Sequence, residues 1–412
     1  MIERFLFPAV VLGALLGWGI AELAGDTATA GELAALAKEL FLALLRMIVA
    51  PLVLFSIVSG ILRLESTAAL RRLGAVTLTY YLTTTAIAIG IGLTVVFAIH
   101  PWTDTPPPEH LASAGTQASL LTSSEGSLWS MLRGLAASMF VNPFKALAEL
   151  NILGMVTNGV ILGCALLLVT TPTSPTRAFV HDGTQAIYRV AGWIIWIVPF
   201  GVAGITFQMA TTADWSLIGQ LASFTGVVVG ATLIHGLVVL PLIAWLAGGV
   251  RPGDLALFAA RPCVAALSSS SSAATLPVTF QAAERLKVRR STASFVLPLG
   301  ATANMDGTAL FEGIAAVFLA HLFGLELSVL GTVTVFIVAM LASIGAPGIP
   351  SGSMAGMQMV LLAVGIPLEG ILILLLVERP LDTIMTAVNV EGDLVGSVVA
   401  DRFSVQEATE GQ

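Results

Sequence analysis

Between Leu372 and Asp401 an otherwise apolar stretch carries Glu378, Arg379, Asp382, Asn389, Glu391 and Asp393. In a membrane helix each such side chain is expensive, roughly 2.5–3.5 kcal/mol on insertion scales, and it normally lines a polar interior. The spacing is informative. Asp382, Thr386, Asn389 and Asp393 stand at i, i+4, i+7 and i+11, one stripe of a 3.6-residue helix, with Met385 at its border and Glu391 on the opposite side. Carboxylates, an amide and a hydroxyl on one face offer oxygens to a cation or to an amino group. A polar seam that merely holds helices together is the plainer alternative, but two full carboxylates make a costly seam.

A second cluster lies in Gly300-Ala-Thr-Ala-Asn-Met-Asp-Gly-Thr308. Asn304, Asp306 and Gly307 are poor helix-interior residues, so the spacing predicts a break in a helix over 296–320. Unwound carbonyls beside a carboxylate suit a small hard cation. A divalent ion usually takes more carboxylates, which favours a monovalent one.

The elements that must position these groups follow from hydropathy. The 412 residues are 56% hydrophobic and 10% charged, which indicates a polytopic all-α membrane protein and excludes a soluble enzyme. No basic tract points to nucleic acid, and Cys164 and Cys263 are expected to be unpaired. The first apolar run is expected to be a retained helix, not a removed leader. Helices are predicted over 5–24, 41–61, 76–99, 186–209, 217–247 and 372–401, with a broken or multi-piece helix within 128–169 and a polar loop over 170–186. Arg4, Arg63, Arg71, Arg72, Arg177, Arg251, Arg285, Lys287, Arg289, Arg290 and Arg402 fall in alternate connections or at the termini, whereas 25–33, 100–127, 211–216, 322–328 and 364–370 contain no Lys or Arg. This asymmetry predicts that both termini are cytoplasmic.

Two apolar stretches, 255–282 and 329–364, must then enter and leave on the same side, as re-entrant hairpins. Their tips are rich in Ser, Gly and Pro: a run of serines at 268–272, and Ser343-Ile-Gly-Ala-Pro-Gly-Ile-Pro-Ser-Gly-Ser353. Irregular backbone at membrane depth persists only where protein or a water-filled cavity satisfies it. Two corresponding interrupted segments point to a transporter of inverted repeats with a site near the midplane. A channel or lipid-handling protein would need a continuous polar lining. An intramembrane serine hydrolase would need a Gly-x-Ser-x-Gly elbow or a Ser/His pairing. Neither is legible, and His100, His110, His181, His235 and His321 fall outside these motifs.

Ser268–Pro277, Asn304-Met-Asp-Gly-Thr308 and Asn389-Val-Glu-Gly-Asp393, in this order, resemble the dicarboxylate/amino acid:cation symporter family of glutamate and neutral amino acid transporters. Arg46-Met-Ile-Val-Ala-Pro-Leu52 and Tyr80-Tyr-Leu-Thr-Thr-Thr85 match as well, so the likeness spans the chain. The resemblance implies eight transmembrane helices and two re-entrant hairpins in inverted repeats, a homotrimer, and an elevator motion. The scaffold would be 1–72 and 128–211, and the transport domain 73–100, 212–249 and 250–403. An extracytoplasmic loop over 101–127 and a cytoplasmic tail over 404–412 complete the division.

The resemblance further implies no cofactor, sodium as the coupling ion, and a plasma-membrane location (the inner membrane in a bacterium). One sodium site would use Gly300, Asn304, Asn389 and Asp393. A second would use backbone oxygens of Thr302, Ser343, Ile344 and Ala346, and a third Tyr81, Thr84, Thr85, Asn304 and Asp306. The substrate would lie among Ser270, Ser271, Ser272, Met305, Thr308, Ile349, Ser353, Asp382, Met385, Thr386 and Asn389, with Asp382 on its amino group.

Three positions depart from the pattern or vary within it. At one of them Ala346-Pro347 stands where family members usually have a small polar residue and Ala, and Pro347 removes a donor and fixes φ. Met385 stands where transporters of acidic amino acids have Arg, which favours a small neutral amino acid. Arg379 is the rival guanidinium for an acidic one. Glu312 matches the glutamate of proton-coupled members, and within an apolar helix it reads either as a proton carrier or as a permanently protonated donor.

Overall fold

The computed structural model describes residues 27–62, 68–99, 139–195, 199–204, 215–345 and 352–410 continuously, with isolated positions between 12 and 22, 101 and 112, and 133 and 137, and at 197 and 207. Helices dominate the described residues. In chain order they are α1 (Thr27–Leu62), α2 (Ala68–Ile99), α3 (Pro143–Ala148), α4 (Ile152–Val169), α5 (Pro175–Ile195), α6 (Trp215–Ile234), a π-helical turn (His235–Val239) and α7 (Leu240–Leu246). Then follow α8 (Pro252–Ser269), α9 (Ser272–Arg285), α10 (Arg290–Ala303), α11 (Asp306–Leu322), α12 (Val329–Gly345), α13 (Ser353–Val364) and α14 (Gly370–Glu410).

Three helical spans among the described residues are long and apolar enough to cross a membrane: Arg72–Ile99, Leu217–Leu246 and Arg290–Leu322. They differ in setting. The last has a mean hydropathy of 1.3 and is 89% buried, against 2.1 and 39%, and 2.4 and 44%, for the other two. The pair α10–α11 is therefore the centre of the molecule, and α2, α6 and α14 pack around α11. Their ring contacts are dense: Phe224 of α6 stacks on Phe318 at 4.6 Å and meets Phe311 edge-on at 5.9 Å, while Trp102 meets Phe318 at 5.0 Å.

Both hairpins form. In the first, α8 ends in Ser270 with φ 48° and ψ 37°, and the Ser271 side chain caps α9 by accepting from the Ala274 N–H. The reversal thus needs only Ser270 and Ser271, a tighter turn than the serine run implies. In the second, α12 and α13 pack together, and the tip 346–351 lies outside the described residues.

Several boundaries depart from expectation. α1 starts at Thr27, and α5 starts at Pro175 inside the predicted polar loop. There the Arg177 guanidinium donates to the carbonyls of Leu62, Leu167 and Thr170 at 3.0–3.3 Å, so a charge expected in a loop caps two helix ends. The expected break before α4 is real: Asn142 and Asn151 cap α3 and α4 with their side chains. The predicted helix 5–24 lies largely outside the described residues. At the far end of α14, Arg289 meets Asp401 at 2.8 Å, Arg402 donates to the Ala247 carbonyl and Arg72 to that of Phe403, so these basic residues gather at one end of the molecule.

Candidate functional site

The site is built where α10 stops. The α10–α11 junction leaves helical geometry at Asn304 (φ −118°, ψ 89°) and Met305 (φ −120°, ψ 52°), and α11 restarts with Asp306 in its first turn. α14 lies directly across it. A Cβ at Gly307 would sit 2.8 Å from the Met385 carbonyl oxygen and 2.9 Å from its Cα, so only glycine permits that approach.

Asn389 stitches the two together. Its Oδ1 accepts from the Gly307 N–H at 2.8 Å, and its Nδ2 reaches Thr308 Oγ1 at 3.2 Å and Met305 Sδ at 3.3 Å. Asn304 donates through Nδ2 to Asp393 Oδ1 at 3.0 Å and to the Asn389 carbonyl at 3.3 Å. With the amide so fixed, the buried Asn304 Oδ1 has no donor among the described residues.

Beside it Gly300 leaves a cradle. A Cβ there would collide with Asp393 Oδ1 and lie 2.5 Å from the Tyr81 hydroxyl. A carboxylate and a phenol oxygen meet where the glycine leaves room, with the Asn304 amide bonded to the same carboxylate, and hard oxygen donors of this kind suit a small hard cation. Tyr81, Gly300, Asn304, Asn389 and Asp393 are thus brought together.

Asp306 is held differently. Its Oδ1 accepts from the hydroxyls of Thr85 at 2.6 Å and Thr84 at 3.4 Å, both from α2, and its Oδ2 lies 3.1 Å from His235 Nε2. His235 is fully buried, its Nδ1 has no partner among the described residues, and it opens the π turn between α6 and α7. The motifs miss it altogether. The signal available was a lone ionisable residue inside the apolar span 217–246.

The residues of the expected substrate stripe are also brought together. Asp382, Met385 and Thr386 are buried on α14, with Thr386 Oγ1 bonded to the Asp382 carbonyl at 2.7 Å. Ser270, Ser271 and Ser272 are buried at the first hairpin's turn, and α8 and α9 both pack on α14. Ser353 donates to Glu378 Oε1 at 2.9 Å, and Arg379 Nη1 donates to Asp382 Oδ2 at 3.2 Å. Thr302 and Ser343 turn their hydroxyls to the carbonyls of Leu299 and Met340, while their helices α10 and α12 touch. Ala346, Ile349 and the side chain of Ile344 lie outside the described residues.

Glu312 is fully buried one helix face away, both its oxygens lack a partner among the described residues, and a Cβ at Gly356 of α13 would collide with its Oε1. Glu391 lies behind the stripe, with its Oε2 3.5 Å from where a Gly236 Cβ would be.

Comparison with known proteins decides what this arrangement belongs to. The family model described as "Sodium:dicarboxylate symporter family" matches residues 4–403. The chain belongs to the sodium:dicarboxylate symporter family. Within that family it is 31% identical to excitatory amino acid transporter 1 of Ambystoma tigrinum, over 99% of this chain and 84% of that protein. It is 30% identical to excitatory amino acid transporter 3 of Bos taurus, over 97% and 84%. It is 32% identical to human neutral amino acid transporter B(0), over 96% and 79%. The oxygen-lined space at Gly300 and the polar stripe on α14 adjoin the same helix junction.

Proposed function

We propose that this chain is a secondary active transporter that couples sodium entry to uptake of a small neutral L-amino acid. The cradle of Gly300, Asn304, Asn389 and Asp393 holds one sodium ion. Asp306 with Tyr81, Thr84, Thr85 and Asn304 holds another, and the carbonyls of Thr302, Ser343, Ile344 and Ala346 a third. The amino acid's ammonium pairs with Asp382, and its α-carboxylate meets Asn389 and the serine turn, where the N-terminus of α9 supplies positive dipole. Residues 73–100, 212–249 and 250–403 carry this cargo as an elevator against a scaffold of 1–72 and 128–211. The full assembly is a homotrimer of eight-helix subunits in the plasma membrane, with both termini cytoplasmic. A membrane potential of 100 mV contributes about 2.3 kcal/mol for each net charge carried inward.

The substrate class rests on one observation: the buried side chain bordering the stripe is Met385. Arginine there would grip a side-chain carboxylate with two charge-assisted bonds. Methionine leaves such a carboxylate unpaired, at a cost on the order of 3–5 kcal/mol, while its thioether adds apolar contact for a short side chain. The rival acidic reading needs Arg379 to meet the substrate, yet its guanidinium is directed to Asp382.

The test is competition against sodium-driven uptake of labelled L-serine in proteoliposomes. L-alanine and L-threonine should displace it saturably and L-aspartate should not, and Met385→Arg should gain recognition of aspartate. Tight displacement by L-aspartate, with none by L-alanine, overturns the neutral assignment.

A further inference from the structure

Arg379 is the only Lys or Arg between Arg290 and Arg402, an interval that holds nine Asp and Glu residues: Asp306, Glu312, Glu326, Glu369, Glu378, Asp382, Glu391, Asp393 and Asp401. It lies three residues before Asp382 on α14, and the pair is enclosed, with side chains 14% and 6% exposed. Asp382 is thus engaged by a cation from its own helix, on the carboxylate the substrate's ammonium requires. A guanidinium and an ammonium cannot both hold the same oxygen of a buried carboxylate without like-charge repulsion. They compete.

We infer that Arg379 is a tethered counter-ion, seated on Asp382 when the amino acid is absent and displaced when it binds. This rests on the assignment of Asp382 to the substrate's ammonium. The physical need is plain. A symporter must return emptied, and a buried carboxylate stripped of its partner is the costly species in that step. Arginine keeps its charge at any physiological pH, and at i, i+3 it sits one helical turn from Asp382, so a change of side-chain rotamer is enough to seat or release it. Two properties follow. The substrate's apparent affinity is lowered by the fraction of carriers in which Arg379 occupies Asp382. The empty carrier also returns already neutralised at this position, so net uptake needs no cation carried back in exchange.

The test uses the full-length protein in proteoliposomes, with labelled L-serine. Three readouts are taken: binding to the purified protein, serine–serine exchange, and net sodium-driven uptake with either choline or potassium inside. Wild-type net uptake should be equal with choline and potassium inside. Arg379→Gln should bind serine about tenfold tighter, since the competitor is gone. Its net uptake should fall about tenfold while exchange falls less than about threefold, because exchange never requires an empty return. Arg379→Lys should lie between the two. An unchanged ratio of net uptake to exchange in Arg379→Gln overturns the inference, as does weaker serine binding by a variant that elutes and melts like wild type. Wild-type dependence on internal potassium overturns it without recourse to any variant. Asp382→Asn separates this from the underlying reading: undiminished serine binding by that variant means the ammonium assignment itself has failed.

Discussion

Asp306 lies at the α10–α11 junction and Asp393 across from it on α14, and the two are held unequally. Asp306 has two threonine hydroxyls and an imidazole, whereas Asp393 has one amide, Asn304. Asp393 is therefore the carboxylate with most to gain from a cation. Asp393→Asn should abolish concentrative uptake, and sodium should no longer raise the melting temperature of the purified protein. Retention of wild-type sodium dependence would remove Asp393 from the ion site. Gly300→Ala places a methyl in the same cradle and should raise the sodium concentration for half-maximal uptake by about tenfold or more. Glu312 makes a different prediction, since its two oxygens face glycine instead of a donor. If it carries a proton, Glu312→Gln should flatten the dependence of uptake on internal pH. A wild-type pH profile in that variant would make it a structural donor.

At the scale of elements, the feature that completes the Asp306 site is the π turn at His235–Val239. It opens with His235, whose ring reaches a carboxylate 71 residues later in the chain. His235→Leu should leave Asp306 Oδ2 without a donor and cut sodium-driven uptake at least about tenfold, the effect of stranding one buried polar partner. His235→Gln can still donate and should keep a measurable fraction, as read by initial rates at saturating sodium. Elements of this kind mark where sequence reasoning stops. The two carboxylates and the helix break at Asn304 were legible because each is expensive or unfavourable where it stands. The stripe on α14 was legible because one helix fixes its period. His235 was not, because its partner is chosen by packing between α6 and α11. The length of the serine turn is not legible for a related reason: five similar residues do not reveal which one adopts the left-handed conformation that closes the hairpin.

On the scale of the whole molecule, the order of the chain also matters to how it is made. The pair α10–α11 has the lowest mean hydropathy of the three long spans and the highest burial. During synthesis it must reach the bilayer while Asp306 and Glu312 lack the neighbours that later enclose them. Each such acid opposes partition by about 2.5–3.5 kcal/mol at a helix centre, so this segment enters lipid poorly alone and has to leave the translocon in company. Chain order provides that company. Thr84, Thr85 and His235 emerge from the ribosome ahead of Asp306, and Asp393 emerges after it. Biogenesis thus delivers one buried carboxylate to hosts already in place, and leaves the other to be enclosed only when α14 arrives.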